Sequence, residues 1–247
     1  YPHRVGLARN GKTMAATAPT LAELLKPVGY QTGMTGKWHL SQLAPTNDNQ
    51  QRIQWMNHQL DLGIPFADPA SYPRKRGFDH YYGVIWGVVD YFDPFSLIHD
   101  DHEVKKVPVD FYLTDAITDY SVDYIHTFEK KDDDPFFLYV AYTAPHWPLH
   151  AKDDVIRKYQ GKYDTGWNAL KTDRFQRQKN MNLFPRKTTI DPVMDQGNSW
   201  EDLTAGEKSY QAGKMEVHAA MIDSVDQGIG RIIDALKETG EFENTVI

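Results

Sequence analysis

The spacing of apolar residues changes period along the chain, and each change marks an element. Phe136-Phe-Leu-Tyr-Val-Ala-Tyr142 is continuously apolar over a strand's length, the pattern of a central strand covered on both faces. Val217, Met221, Val225, Ile229, Ile232 and Leu236 recur at helical spacing and predict a long helix from Gly206 to Thr239, closed by Gly240. Ile117, Tyr120, Tyr124 and Phe128 predict another over Leu113 to Lys131, ended by Asp132-Asp-Asp-Pro135. A shorter helix is expected over Thr20 to Val28, capped by Thr17 or Thr20, with Leu21, Leu24 and Leu25 on one face and Pro27 stopping it early. Tyr30 to Thr35 reads as a strand running into a tight turn at Gly36. Val84-Ile-Trp with Val88-Val89 fits a short strand, Asp153 to Tyr159 and Trp167 to Asn180 fit surface helices, and a last strand begins near Thr245. Residues 41–75 are polar and proline-bearing, as in an insertion loop. Strands separated by helices indicate an α/β fold with a mostly parallel sheet.

Composition narrows the setting. At 247 residues, 40% hydrophobic and 13% aromatic, the chain can bury the core of one large domain or two small ones. A net charge of −7 argues against a nucleic-acid or anionic-membrane partner, and no apolar run reaches transmembrane length. The absence of cysteine excludes disulfides and thiolate metal sites. Tyr1-Pro-His-Arg at one end and Asn244-Thr-Val-Ile247 at the other read as cuts through structured protein, so an internal fragment is expected.

Two strand ends carry reactive side chains. Gly29-Tyr-Gln-Thr-Gly-Met-Thr-Gly-Lys-Trp-His-Leu40 places Lys37 and His39 two residues apart, on one face if the backbone is extended, with Trp38 pointing into the fold. A fixed cation beside an imidazole suits binding an oxyanion and moving a proton near it. His146 follows the 136–142 strand in a loop where two prolines forbid regular structure. In α/β sheets ligands gather beyond the carboxyl ends of the strands, so these groups are expected to converge. Other readings are blander. His146 and His150 lack the helix that makes their spacing diagnostic of a metal pair. His99-Asp-Asp-His102 is more simply an exposed turn than a ligand cluster. Trp86, Tyr91 and Phe92 suit a sugar platform less well than core packing, and Asp223 and Asp226 a solvent-facing role.

The stretch from Gly29 to Leu40 closely resembles the second signature of the type I, formylglycine-dependent sulfatases. Tyr1-Pro-His-Arg-Val-Gly6 resembles the segment after their first signature, the Cys/Ser-x-Pro-x-Arg nucleophile motif. Thr20-Leu-Ala-Glu-Leu-Leu25, Gly77-Phe-Asp-His-Tyr-Tyr-Gly83 and Ala144-Pro-His-Trp-Pro-Leu149 match further family stretches, and residues 158–167 resemble the arylsulfatase branch. The resemblance implies an alkaline-phosphatase-like sulfatase fold, a mostly parallel mixed sheet sandwiched by helices. Residues 1–247 would be part of the N-terminal catalytic domain, truncated at both ends, with 41–110 an insertion and substrate-loop region. It implies hydrolysis of an aryl or carbohydrate sulfate by a formylglycine hydrate near Ca²⁺, and a formylglycine-generating enzyme as maturation partner. Lys37 matches the lysine that binds sulfate and the aldehyde-derived hydroxyl. His39 matches the histidine beside that hydroxyl, and His146 the one that contacts sulfate and protonates the leaving oxygen. The nucleophile and the Ca²⁺ ligands are absent from this chain, so no metal-ligating residue is assigned in it. By family analogy the protein is periplasmic or secreted. Two other readings fit the same residues, a phosphomonoester or phosphonate-ester hydrolase and a non-catalytic sulfoglycan-binding homologue.

Overall fold

The computed structural model describes residues 11–15, 17–129, 134–190 and 199–247, so the segment Tyr1–Gly6 lies outside the described residues. They form two compact units: the residues up to His150 together with Ser224–Ile247, and Ala151–Asp223. No helix among them is long and apolar enough to cross a membrane.

The first unit is built on a five-stranded mixed sheet. Its strands are β1 (Gln31–Lys37), β2 (His80–Val84), β3 (Leu97–His99), β4 (His102–Glu103) and β5 (Phe136–Ala141), in the order β4-β3-β2-β1-β5. β1 pairs in parallel with both β2 and β5, while β2-β3 and β3-β4 are antiparallel. The central strand buried along its length is therefore β1, not the 136–142 run. β5 closes the sheet among the described residues, and Tyr139 is 49% exposed. The apolar run misled because β1 carries its core position in small residues: Gly33 lies under Phe128 and Tyr124, and the Thr35 and Ser121 hydroxyls bond at 2.7 Å.

Gly36 does not turn the chain. It takes φ 97° inside β1, and the ladder continues to the Lys37–Val84 pair. A Cβ at Gly36 would stand 2.0 Å from the Ala141 carbonyl oxygen, so the left-handed backbone and the close β5 approach both require glycine. The strand expected over Val84-Ile-Trp and Val88-Val89 is not there: β2 runs from His80 and ends at Val84, and Thr245 is extended but outside any strand.

Helices cover the sheet. α1 (Leu21–Leu25) begins with a capping box: Thr20 Oγ1 accepts from the Glu23 N–H at 3.0 Å, and Glu23 Oε2 accepts from the Thr20 N–H at 2.7 Å. Pro27 starts a 3-10 turn and ends the helix. The expected apolar face is not what holds it, since Leu21 and Leu24 are more than half exposed. Polar ties do that instead: buried Arg76 donates to Glu23 Oε1 at 2.8 Å and to the Ala18 carbonyl at 2.7 Å. α2 (Asn49–Met56), capped by Asp48, gives the supposed loop 41–75 a helix whose Trp55 packs on Phe66 and Phe95.

α3 (Leu113–Glu129) lies against β1 and β5. α4 (Asp153–Arg157) and α5 (Gly166–Asn180) belong to the second unit. α6 (Ala205–Glu238) begins in the second unit and ends in the first. In the first unit the predicted stripe packs at Ile232 and Leu236 but not at Ile229, which is 41% exposed. Small residues face α3 instead: a Cβ at Gly228 would sit 2.4 Å from Thr118 Oγ1 and 2.6 Å from the Tyr142 hydroxyl. Ile125, Ala235 and Leu236 then join in one apolar cluster.

Candidate active site

Three parallel strands end together. Lys37 pairs with Val84, and Gly36 with Ala141, so the segments leaving β1, β2 and β5 emerge at one edge of the sheet. Past β1 the pairing persists: the Trp38 N–H donates to the Val84 carbonyl and the His39 N–H to the Ile85 carbonyl. Trp38 is buried, its Nε1–H donating to the Ser71 carbonyl at 2.9 Å and to Ser41 Oγ at 3.1 Å. Ser41 is fully buried and linked to Ser71, so it helps to fix this segment.

The backbone does not stay extended to His39, which takes φ 53°. This left-handed step seats the imidazole against Gly87, where a Cβ would lie 2.1 Å from His39 Cε1, and edge-on to Trp86 at 5.3 Å. Sequence reasoning missed Gly87. Its only trace was a glycine just after the 84–86 apolar run.

The electrostatics tie the three predicted residues together. Partial burial drives the Lys37 pKa below its usual value, and this lysine has no hydrogen-bond or ion-pair partner among the described residues. His39 is pushed down to about 4, first by burial, then by the charge of Lys37, then by that of His146. At neutral pH His39 is thus an uncharged imidazole able to accept a proton. His146 is exposed, and its Nδ1 lies 2.6 Å from the Trp147 carbonyl oxygen. A carbonyl only accepts, so the hydrogen sits on Nδ1 and Nε2 is left for a ligand. The buried Tyr91 hydroxyl donates to the His146 carbonyl at 2.9 Å, and Tyr112 donates to the His150 carbonyl at 3.0 Å. Tyr91 is therefore a core anchor for the histidine loop, while Phe92 stacks on His150.

Other candidates are otherwise engaged. His99 and His102 face each other across the two-residue turn of the β3-β4 hairpin, and Asp100 accepts from the Tyr81 N–H at 3.0 Å. Among the described residues no group of three or more His, Asp or Glu side chains could hold a metal ion. These side chains thus do not by themselves fit a Ca²⁺ site. Asp223 pairs with Lys158 at 3.1 Å, whereas Asp226 is exposed.

The sulfatase family profile matches residues 1–247. The chain belongs to the sulfatase family. It is 33% identical to an uncharacterized sulfatase of Schizosaccharomyces pombe over 92% of its own length and 39% of the relative's. It is 30% identical to the arylsulfatase of Klebsiella aerogenes over 92% of its length and 45% of that enzyme's. The crystal structure of Ps i-CgsB in complex with k-i-k-neocarrahexaose superposes with a TM-score of 0.59 at 25% identity, covering 99% of this chain and 43% of that one. This sulfatase chain thus spans less than half the length of each of these three relatives. Its mixed sheet with helices is the sulfatase fold expected from the resemblance.

Proposed function

We infer that this chain supplies the sulfate-binding side of a sulfuric ester hydrolase acting on an aryl or carbohydrate sulfate monoester. The observation that carries the reading is the convergence of Lys37, His39 and His146 beyond the carboxyl ends of two neighbouring parallel strands, with the charges of Lys37 and His146 felt at His39. The half-buried ammonium of Lys37 has no competing ion pair among the described residues, so it is available to a sulfate oxygen and to the charge that grows there as the ester bond breaks. Breaking the sulfur–oxygen ester bond leaves an electron pair on the alcohol oxygen, and His146, held by Nδ1–H on the Trp147 carbonyl, delivers a proton there from Nε2 when the ring enters the reaction as imidazolium. His39, uncharged at neutral pH, accepts a proton on the nucleophile's side.

Formylglycine is the nucleophile the family resemblance implies; with no cysteine here and the serine form of the motif absent, it lies outside this chain, and a formylglycine-generating enzyme would be its maturation partner. Two relatives support the two substrate classes: one is an arylsulfatase, and the other was crystallised with a neocarrahexaose.

Matched sulfate and phosphate monoesters of one alcohol, assayed with the full-length protein, test the reading. We expect sulfate turnover to dominate; a preference for phosphate would contradict it.

A further inference from the structure

The first unit has a cavity of about 450 Å³ whose lining includes chain neighbours of the candidate site. Val88 follows Gly87, on which the His39 ring rests, and Trp147 follows His146. The cavity adjoins a second one of about 630 Å³, since His58, Asp93 and Phe95 line both. Each volume is within the range of small-ligand sites, roughly 300–1,000 Å³.

The lining has a definite chemistry. Trp147 is 64% exposed and Phe92 41% exposed, so aromatic surface is open to a ligand. Asp90 and Asp93 stand in the near cavity, and Asp61 and Glu103 in the far one. Against these four carboxylates the groove sets Lys105, already paired with Asp61 at 3.2 Å, Lys106, and two histidines, His58 at 3.7 Å from Asp93 and His150 at 3.5 Å from Asp90. Carboxylates accept hydrogen bonds from hydroxyl groups, and aromatic faces carry the apolar side of a ring. An acidic groove repels further negative charge.

We propose that this double cavity is the leaving-group site, and that it holds a neutral oligosaccharide whose only anionic group is the sulfate being cleaved. The inference rests on the sulfatase reading above and adds two properties to it. Sugar units beyond the sulfated ring contribute to binding, and uronate or extra sulfate groups on those units weaken it.

The test uses the full-length protein with three substrates: p-nitrophenyl sulfate, a sulfated neutral monosaccharide, and a neutral tetrasaccharide bearing one sulfate at its end. The expected kcat/KM is at least tenfold higher for the tetrasaccharide than for the monosaccharide. Asp93→Ala, and separately Asp61→Ala in the far cavity, should cut the tetrasaccharide value at least fivefold through KM while leaving p-nitrophenyl sulfate within twofold. A tetrasaccharide carrying extra sulfates should be the poorer substrate. Equal kcat/KM for mono- and tetrasaccharide, or a preference for the polysulfated chain, overturns the proposal while turnover of p-nitrophenyl sulfate leaves the sulfatase reading standing. No turnover of any sulfate ester, beside turnover of matched phosphates, overturns both.

Discussion

His39 is the residue whose environment departs most from its sequence setting. Free histidine titrates near 6.5, which makes it look like a proton-exchanging group at neutral pH. Here burial, Lys37 and His146 bring it to about 4. The sequence placed the imidazole beside the lysine but could not reveal how much water the fold removes, or that Gly87 opens the space the ring fills. The shift is also a statement about stability. Between about pH 6.5 and 4 the unfolded chain binds a proton at this position and the folded one does not, so the contribution is present above the unfolded value and is lost as the pH falls towards 4. His39→Asn removes the titration and keeps a residue that tolerates the φ of 53°. Urea unfolding at pH 7 and pH 5 should then show a smaller loss of stability on acidification for the variant than for the wild-type protein. Equal losses would contradict the lowered pKa.

At the scale of elements, strong periodicity was reliable where packing followed it. The helix over 113–129, the strand from Phe136 and the long helix 205–238 lie close to their predicted bounds. Failures came where small or polar residues take the buried position. β1 is central because glycine, threonine and serine let its neighbours approach, and no apolar count registers that. α1 is held by a capping box and a buried guanidinium more than 50 residues away in the chain, a contact no local pattern encodes. Arg76 is 5% exposed, and Glu23 is held below the usual carboxylate range chiefly by its hydrogen bond to that arginine. Arg76→Ala leaves Glu23 and the Ala18 carbonyl without their donor, but Glu23 is 28% exposed and partly hydrated, so the cost should be about 1–3 kcal/mol. Chemical denaturation would measure it, and a loss below 1 kcal/mol would mean that α1 is anchored otherwise.

On the scale of the whole molecule, the proposed sulfate-binding residues gather at the carboxyl ends of β1 and β5. Lys37, His39 and His146 were legible as candidates because strand ends in α/β sheets collect ligands, and the family resemblance gave them separate roles. What holds them was not legible: Tyr91 under the His146 carbonyl, Ser41 and Ser71 behind Trp38, and Gly87 behind His39. Apart from Ser41, three residues from Trp38, these are contacts distant in the chain. The account stands on Lys37 and His146 acting directly on a sulfate ester. The most direct measurement is kcat/KM of the full-length protein on one aryl sulfate, for the wild type, Lys37→Ala and His146→Ala, with circular dichroism to confirm folding. A fall of several orders of magnitude in both folded variants is predicted; a near-normal rate in either would contradict the account.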